Sequence, residues 1–328
     1  MKQLIAESID RFDSLLSQWK GAGQVDKIAP YAYRWTPSKV AHKPQKSTAL
    51  TLQAVTHGNE VGGISALIEC LKLIESGVVK PEIPLAFALG NYQASRENRR
   101  FLEADLNRSF KAKDESTLEA KRALQLTPLL MDTDYFLDFH QTIESSEQPF
   151  FIFPYAEAGM KFARAACAEV CVVTHWGKPF SLDGMCTDEF VNYSGGVGIT
   201  LELGQKGFEA YQTSVGLAAA LGAIRYVTET LAGKYQAATS TSPLYTWKTI
   251  ELYEEGMDLH EGLYNFQKVK KGDVLGVHGS RPLVSRESGY LLFPKYQRDP
   301  GAPRPREIYR LAKEIGVHEL GQPGVVGV

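Results

Sequence analysis

The sequence predicts an α/β fold, with a layered sheet and helices in residues 1–236 and a small all-β domain with a C-terminal tail in residues 243–328. Short apolar runs alternate along the chain with segments whose apolar residues recur at helical spacing, which is the order that layered α/β sheets show. Beyond residue 236 the segments become short and are punctuated by glycine, a pattern typical of all-β domains. With 328 residues, of which 44% are hydrophobic, the chain suits one large core and one smaller core.

The N-terminal part of the sequence contains helical, irregular and extended patterns in turn. Residues 1–20 mix charged and apolar side chains as an amphipathic helix does, and the proline-rich, basic residues 29–46 predict irregular surface chain. The apolar run STALTLQAVT, residues 47–56, predicts a buried strand. Residues 60–76 repeat apolar side chains at helical spacing before Gly77, which predicts a helix that ends there.

The rest of the chain continues this alternation up to the glycine-rich region. We expect strands at residues 84–89, 134–139, 150–153, 170–174 and 198–203, and helices near residues 113–130, 156–169 and 211–231. Residues 300–316 have a short helical pattern after a proline-rich lead, and we expect the last residues to be loose.

The composition restricts the classes of partner. With 36 basic and 38 acidic side chains the net charge is -2, and no basic tract suggests nucleic acid or an anionic membrane surface. No apolar run approaches the roughly 18 to 20 residues that cross a bilayer, and the N-terminus does not resemble a signal peptide. The four cysteines lack CxxC spacing, which suits reduced thiols in the cytoplasm. We therefore expect a cytoplasmic protein with a small-molecule partner and without nucleic acid or membrane, and a homo-oligomer stays open.

Polar side chains recur where the predicted strands end. His57 and Glu60 follow one strand, a loop rich in Arg and Asn follows the next, and His140 and Glu202 lie at two more. Ligands collect at the carboxyl edge of open α/β sheets. A catalytic zinc ion is held by three nitrogen or oxygen ligands with a fourth position open, and a His-x-x-Glu pair with a distant histidine supplies that set. We expect Gly58 to let the backbone bend so that the imidazole and the carboxylate face one point.

Each of these residues alone is better explained by structure than by catalysis. A histidine at a strand end is more often hydrogen-bonded structure than a ligand, and His-x-x-Glu recurs by chance. Glu60 suits the N-terminus of a helix, and Arg99, Arg100 and Arg108 suit a solvated surface. The four segments together outweigh these explanations because their order and context match one known pattern.

That pattern resembles the succinylglutamate desuccinylase and aspartoacylase family, a branch of the zinc carboxypeptidase-like hydrolases. HGNEVGG looks like the zinc motif of this family, and DFHQT is similar to the block that carries a further histidine. GNYQASRENRRFLEADLNRSF is similar to the second block, although Tyr92 stands where the family usually has proline. ITLELGQKG looks like the block with the catalytic glutamate. The resemblance covers about residues 50–210 in the correct order.

The resemblance implies a metal centre and an architecture. One zinc ion per chain would be held by His57, Glu60 and His140. The fold would be a zinc carboxypeptidase-like three-layer αβα domain with a mixed central sheet. The C-terminal segment is similar to the small all-β domain that these hydrolases append.

The resemblance also implies roles around the reacting bond. Glu202 matches the glutamate that takes a proton from water and returns it to the leaving amine. Arg100 matches the arginine that polarises the scissile carbonyl, and Asn107 with Arg108 matches the pair that binds the substrate's carboxylate. Asp105 would orient a ligand or an arginine. The implied function is a zinc-dependent deacylase that cleaves the linear amide of an N-acyl amino acid or a related carboxylate-bearing substrate.

Two other functions stay open from the sequence. A zinc carboxypeptidase acting on short peptides would use the same centre with a different pocket. A non-catalytic zinc-binding relative would serve as a binding module, but Arg100 and Glu202 argue against it because a pure binder has no use for a proton shuttle. No motif fixes the acyl group, or the roles of His175, Lys178 and Tyr290.

Overall fold

A computed structural model describes residues 1–111, 113–176, 180–181, 184–237, 240–298 and 304–321. The helices in these ranges are α1 (Lys2–Ser17), α2 (Gly62–Glu75), α3 (Tyr92–Arg96), α4 (Leu118–Met131), α5 (Glu157–Ala166), α6 (Thr187–Tyr193) and α7 (Ala210–Leu231). The strands are β1 (Gln24–Ala29), β2 (Ala32–Thr36), β3 (Thr48–Ala54), β4 (Leu85–Leu89), β5 (Thr133–Thr142), β6 (Phe150–Pro154), β7 (Cys171–His175), β8 (Val197–Gln205), β9 (Leu244–Leu252), β10 (Met257–Leu259), β11 (Lys268–Val269), β12 (Val274–His278), β13 (Arg281–Val284), β14 (Gly289–Leu292) and β15 (Glu307–Ile315). Short 3₁₀ turns lie at Leu106–Arg108 and Val317–Glu319. None of the helices in the described ranges combines the length and the apolar composition that crossing a bilayer requires.

A mixed sheet of 12 strands runs through the protein in the order β1-β2-β4-β3-β5-β8-β6-β7-β9-β15-β14-β11. Its centre is parallel, because β3 pairs in the same direction with β4 and β5, and β5 does so with β8. β2 and β6 run antiparallel to their neighbours β4 and β8. The parallel centre brings the carboxyl ends of β3, β5 and β8 to one edge, where ligands bind in sheets of this kind.

Helices cover both faces of this sheet. Residues of α1, α2, α5 and α7 share one hydrophobic core, whereas α4 and α6 contribute to a second core. Alternate residues of β4 point into the two cores, with Leu85, Phe87 and Leu89 in the first and Ala86 and Ala88 in the second. The sheet is therefore the middle of three layers, and the predicted α/β class with a mixed sheet is confirmed.

Helix α2 packs closely onto the sheet because its second residue has no side chain. A Cβ at Gly63 would lie 2.7 Å from Cβ of Phe139 and 2.9 Å from Cβ of Ala54. Strand β3 beneath it is buried along its whole length, as expected for a strand with helices on both faces. This contact fixes the start of α2, and Glu60 just before it, over the ends of β3 and β5.

The strands after residue 243 extend the main sheet. β9 pairs in parallel with β7 and antiparallel with β15, which continues into β14 and β11. Only β10, β12 and β13 form a separate three-stranded sheet within the described residues. The C-terminal region is thus built from strands, and its division from residues 1–236 as a domain of its own stays a prediction.

Two stretches differ from their sequence predictions, and one helix was not predicted. Residues 29–46 are not wholly irregular, because β2 pairs with β4 and has a buried Trp35. The helix predicted within residues 300–316 is wrong, because β15 pairs with β9 along its length. Its apolar residues suit either period, and pairing with a neighbouring strand decides between them. Helix α6 is too short to show a helical period in the sequence, and the last residues, 322–328, lie outside the described ranges.

Candidate metal centre and active site

The turn after β3 carries the first site residues, and its backbone is strained. Val55 has a φ of 54°, a left-handed conformation that is an outlier for a β-branched residue and costs on the order of 1–3 kcal/mol. The N–H of Asn91 donates to the carbonyl oxygen of Val55 at 2.7 Å and holds the turn. The chain changes direction there and continues through Thr56 to His57.

Gly58 is needed for a reason other than the expected bend. The left-handed residue of this turn is Val55, whereas a Cβ at Gly58 would lie 2.5 Å from both the carbonyl carbon of Ala94 and the nitrogen of Ser95. The N–H of Gly58 also donates to the carbonyl oxygen of Arg100 at 2.9 Å. The expectation is therefore corrected: glycine is required because this turn packs directly on the backbone of α3.

The three predicted metal ligands lie together at the carboxyl edge of the sheet. His57, Glu60 and His140 are buried, and one ligand atom from each lies within 4.8 Å of the other two. Nδ1 of His57 is 2.8 Å from Oε1 of Glu60, and Nδ1 of His140 is 3.0 Å from Oε2 of the same carboxylate. The two imidazole rings meet edge to face, with centroids 4.9 Å apart. Segments far apart in sequence thus supply one cluster of nitrogen and oxygen donors.

The carboxylate of Glu60 is buried in its charged form. Burial alone would raise its pKa, but the charge of His57 and a hydrogen bond from His140 outweigh this effect and hold the pKa well below its ordinary value. Burial alone would lower the pKa of His140, but the carboxylates of Asp138 and Glu60 raise it well above its ordinary value. The N–H of Gln141 donates to Oε2 of Glu60 at 3.1 Å. Both imidazoles are therefore held against a charged carboxylate whose position is fixed.

The far nitrogen of each imidazole has a carboxylate partner. Nε2 of His57 lies 3.1 Å from Oδ1 of Asp105, and Nε2 of His140 lies 3.1 Å from Oδ2 of Asp138. If a metal ion takes the lone pair of Nδ1, the remaining imidazole proton lies on Nε2, where it can be donated to this carboxylate. Asp105 was expected from the sequence and Asp138 was not, although Asp138 lies two residues before His140 on one strand, which puts both side chains on the same face.

This donor set fits a divalent metal ion. Two imidazole nitrogens and one carboxylate oxygen form a common catalytic zinc set, which leaves a fourth position open. Nδ1 of His57 is buried and lies 2.8 Å from Oε1 of Glu60, but within the described part of the chain no contact of this nitrogen has the geometry of a hydrogen bond. A buried polar atom without a hydrogen bond calls for another partner, and a metal ion is such a partner.

Arg100 lies against the ligand set with about a third of its side chain exposed. Its guanidinium is 3.1 Å from Oε1 of Glu60, 2.7 Å from Nε2 of His57 and 3.3 Å from Oδ2 of Asp105. Burial alone would raise the pKa of Asp105, but the charges of His57 and Arg100 hold it well below its ordinary value. A permanent positive charge therefore stands beside the ligands and borders the solvent.

Glu202 lies on β8, in register with His140 on β5. Burial first, and then the charge of Glu60, raise the pKa of Glu202 to about 8 against the lowering effect of His140 and Arg100. Its Oε2 is buried and makes no hydrogen bond among the residues described. A carboxyl group with a raised pKa and an unpartnered oxygen can take up and release a proton near neutral pH.

Asn107 is partly committed to holding the fold together. Its Oδ1 accepts hydrogen bonds from the N–H and the hydroxyl of Thr187, at 2.9 and 3.2 Å. Thr187 is the first residue of α6, so Asn107 fixes the start of that helix. The Oδ1 oxygen of Asn107 is therefore committed to the fold.

Arg108 is partly buried and pairs with no carboxylate in the ranges described. It donates to the carbonyl oxygen of Asn107 at 2.6 Å and to Sγ of Cys186 at 3.1 Å. The ring of Phe180 lies against two guanidiniums, 5.6 Å from that of Arg108 and 4.4 Å from that of Arg310. A guanidinium without a carboxylate partner is suited to bind a carboxylate from outside the protein.

Tyr92 stands where the resemblance predicts proline, and the geometry of α3 explains why both residues fit. Oδ1 of Asn91 caps the helix by accepting from the N–H of Ala94 at 3.3 Å. Tyr92 is the first residue of this helix, a position that favours proline because its N–H has no acceptor within the helix. The Tyr92 ring instead packs on Tyr31, with centroids 4.3 Å apart.

Of the other residues singled out in the sequence, two lie in packed aromatic clusters. His175 is buried and stacks on Trp247 with centroids 5.7 Å apart. The ring of Tyr290 meets that of Tyr245 at 5.0 Å. Lys178 lies outside the described residues.

Comparison with known proteins gives a family match over this region. A family model described as the succinylglutamate desuccinylase/aspartoacylase catalytic domain matches residues 46–225. The succinylglutamate desuccinylase of Pseudomonas syringae pathovar tomato is 28% identical over 274 residues, which cover 75% of this chain and 78% of that protein. The family match spans every site residue from His57 to Glu202.

Solved structures share the fold over most of the chain. The succinylglutamate desuccinylase from Vibrio parahaemolyticus has a TM-score of 0.68 at 22% identity and covers 90% of this chain and 91% of its own. Murine aminoacylase 3 has a TM-score of 0.60 at 16% identity and covers 83% of this chain and 97% of its own. At these identities the likeness shows the fold alone.

Proposed function

The chain belongs to the succinylglutamate desuccinylase/aspartoacylase family of hydrolases, and from that premise we propose that it is a zinc-dependent deacylase with one zinc ion per chain. Its reaction is the hydrolysis of the amide bond of an N-acyl amino acid or a related carboxylate-bearing substrate. The relatives are named as desuccinylases and as an aminoacylase, names that describe the removal of an acyl group.

One observation carries this proposal. Within one buried cluster, a His-Glu-His donor set lies beside a carboxyl group with an unpartnered oxygen and beside an arginine that borders the solvent. Hydrolysis of an amide needs these three components: a site for a Lewis acid, a group that moves a proton, and positive charge near the carbonyl oxygen. A binding module needs only the first.

The metal ion would be held by His57, Glu60 and His140. When bound, it supplies positive charge that polarises the amide carbonyl and lowers the pKa of the attacking water. With the metal ion bound, Asp138 would accept the Nε2 proton of His140 and so keep the lone pair of that imidazole on Nδ1, and Asp105, 3.1 Å from Nε2 of His57, would do the same for the other ring. These carboxylates also fix the orientation of the rings.

Glu202 and Arg100 act on the reacting bond. Oε2 of Glu202 takes the proton of the attacking water and then returns it to the amine that leaves. The guanidinium of Arg100 donates to the carbonyl oxygen as that oxygen gains negative charge. Removing one preorganised donor of this kind typically costs on the order of 3 kcal/mol of transition-state stabilisation.

Positive charge at and near Arg108 supports a carboxylate-bearing substrate. Arg108 has no carboxylate partner in the ranges described, and the Nδ2 amide of Asn107 is its neighbour. Arg310 and Lys295 share one carboxylate, that of Glu307, at 2.9 Å each. This group of three side chains therefore carries one excess positive charge, and its Arg310 contacts the same Phe180 ring as Arg108.

The test combines metal analysis with a substrate panel. The purified chain is analysed for zinc, stripped with a chelator and reloaded with one equivalent. Amine release is then measured on N-succinyl and N-acetyl derivatives of glutamate, aspartate and neutral amino acids. We expect the reloaded protein to hydrolyse at least one of them and the stripped protein to hydrolyse none.

The same panel separates the alternatives. Zinc-loaded protein that releases no amine from any N-acyl amino acid would overturn the proposal. Cleavage of short peptides instead would select the carboxypeptidase, and stoichiometric zinc without turnover on either class would select the binding module.

Two further proposals concern the whole chain. The four cysteines are unpaired thiols, which supports a cytoplasmic protein. The C-terminal strands have a hydrophobic cluster of their own, which includes Leu259, Leu275, Leu291 and Tyr309 and supports a separate domain at residues 243–328.

A further inference from the structure

A buried glutamate at the start of α4 binds three consecutive backbone N–H groups of a distant loop. Oε1 of Glu119 accepts from the N–H of Leu102 at 2.7 Å, and Oε2 accepts from those of Glu103 and Ala104 at 3.1 and 3.0 Å. Glu119 is 1% exposed. Both oxygens of one carboxylate are therefore used to hold a segment some 15 residues away in sequence.

The loop held in this way carries two groups of the candidate site. Arg100 lies two residues before Leu102, and Asp105 follows Ala104 directly. From these positions their side chains reach Nε2 of His57, at 2.7 and 3.1 Å. A shift of the backbone between them would move both charged groups relative to the imidazole.

The loop in turn binds the backbone of α4. Oε2 of Glu103 accepts from the N–H of Leu118, the first residue of α4, at 2.7 Å. Nδ2 of Asn91 donates to Oε1 of Glu119 at 3.1 Å, which connects the same carboxylate to the start of α3. Helix and loop thus each supply a carboxylate that accepts backbone N–H groups of the other.

Arg122, one turn after Glu119 in α4, binds the chain between β4 and α3, before the loop that Glu119 holds. It is 2% exposed and donates to the carbonyl oxygens of Leu89 and Gly90, at 2.7 Å each. Leu89 ends β4, and Gly90 follows it directly. The helix therefore fixes the chain both where it leaves the sheet and where it approaches His57.

To accept the backbone N–H groups of residues 102–104, Glu119 must be a charged carboxylate. Burial alone would raise the pKa of Glu119, but the N–H groups of Leu102 and Ala104 outweigh it and hold the pKa below its ordinary value. A carboxylate accepts four hydrogen bonds, whereas a glutamine amide has one acceptor oxygen and would turn an NH₂ group toward N–H donors. Replacing the carboxylate by an amide therefore leaves buried donors unpaired.

We propose that Glu119 is a positioning residue for the hydrolysis proposed above. It holds the loop so that Arg100 meets the reacting carbonyl and Asp105 meets His57, and it touches neither the substrate nor the metal ligands itself. The role rests on the proposed function where it concerns turnover and stands apart from it where it concerns the geometry around His57.

The first test compares Glu119→Gln with a matched control at the other end of the same helix. Asp132 ends α4, and its carboxylate accepts the N–H of Ser47 and a hydrogen bond from Arg34, at 2.8 Å each, so Asp132→Asn likewise replaces a hydrogen-bonded carboxylate by an amide at the opposite end. We expect kcat of zinc-loaded Glu119→Gln to fall about 10- to 100-fold with a much smaller change in KM, since a misplacement of about 1 Å costs up to that much. Asp132→Asn should keep the wild-type kcat. Equal losses in the two variants would overturn the positioning role.

A double-mutant cycle with Arg100→Ala tests whether Glu119 acts through Arg100. If it does, Glu119→Gln adds little to the loss of kcat/KM that Arg100→Ala causes alone, because the group that it positions is already absent. A role in general stability gives multiplied losses instead. Multiplied losses would therefore sink the proposal.

Two measurements do not depend on turnover and keep the two proposals apart. In Glu119→Gln we expect faster hydrogen exchange at the amides of residues 102–104. We also expect about tenfold weaker zinc binding in competition with a chelator, because Asp105 loses its place beside His57. If the wild type hydrolyses nothing, the proposed function fails, and unchanged exchange and zinc affinity would overturn the role of Glu119 as well. Should Glu119→Gln not fold, Glu119→Asp, which keeps the charge and shortens its reach, is measured with the same expected direction.

Discussion

Oδ2 of Asp138 lies 3.1 Å from Nε2 of His140, on the side of the imidazole that faces away from Glu60. The hydroxyl of Thr56 donates to the same oxygen at 2.7 Å, and Gln53 donates to that hydroxyl at 2.7 Å. All of these side chains are buried. The metal-facing nitrogen of His140 is therefore set by a chain of hydrogen bonds that begins inside the core.

Replacing Asp138 should weaken zinc binding without removing a ligand. Asp138→Asn removes the negative charge that holds the proton on Nε2 of His140, and losses of such partners typically cost 10- to 100-fold in metal affinity. Competition with a fluorescent chelator measures this affinity. The control is Asp134→Asn, on the same strand, whose carboxylate accepts the N–H of Gln45 at 2.8 Å. Equal affinities in wild type and Asp138→Asn would contradict the assignment.

Zinc content should distinguish variants of the metal ligands from a variant of the proton-transfer group Glu202. Glu202→Gln cannot take up a proton, so turnover should fall roughly 10²- to 10⁴-fold while one zinc ion per chain is retained. His57→Ala and His140→Ala should lose the metal. Zinc content is measured by mass spectrometry on protein reloaded with one equivalent. Full activity in Glu202→Gln, or full zinc occupancy in His140→Ala, would refute the corresponding role.

Arg108 should act on substrate binding more than on the chemical step. Arg108→Gln removes a charged hydrogen-bond donor, worth about 1.5–3 kcal/mol, so KM should rise about 10- to 100-fold with kcat changed far less. Steady-state kinetics on the best substrate of the panel measure both constants. The matched control is the same substrate with its α-carboxylate converted to an amide, on which wild type and variant should perform alike. A variant that loses kcat on both compounds alike would speak against a carboxylate contact.

Much of the site could be predicted from sequence because its ligands follow strands with strong signals. The apolar runs before His57 and His140 predict the strands, and parallel strands bring those two residues to one edge. Asp138 could also have been found from its spacing to His140. Glu119 could not, because its importance lies in hydrogen bonds to residues 102–104 that no periodicity encodes.

Where prediction from sequence failed, a contact between distant segments decided the structure. In β15 the apolar residues Ile308, Leu311 and Ile315 suit a helix as well as a strand, and only the pairing with β9 selects the strand. Gly58 was assigned a bend because glycine permits one, yet a β-branched residue, Val55, makes the left-handed turn at the expense of strain. Such assignments depend on what packs against the residue.

The charged carboxylate of Glu119 should also stabilise the folded protein, and this contribution should disappear in acid. Its pKa in the folded state is held below the ordinary value, since the backbone donors outweigh the effect of burial. The carboxylate therefore contributes stability at pH values above its ordinary pKa, and this contribution is lost as the pH falls through the lower, folded value. At pH 7 we expect Glu119→Gln to be less stable than wild type by about 1.5–3 kcal/mol. Urea unfolding at several pH values should show the gap closing below about pH 4, and a gap that widens in acid would contradict this account.

The packing of Gly58 on α3 gives a test of what holds His57 in place. In Gly58→Ala the new Cβ would lie 2.5 Å from backbone atoms of Ala94 and Ser95, which cannot move as a side chain could, so either the turn or α3 must shift. We expect a loss of roughly 1–3 kcal/mol in the free energy of unfolding, together with weaker zinc binding because His57 directly precedes Gly58. The control is Gly159→Ala in α5, where the nearest atoms belong to the ring of Phe153 at 3.3 Å and where alanine favours the helix. If Gly58→Ala matched wild type in urea unfolding and in zinc affinity, the close approach of the turn to α3 would not be what positions His57.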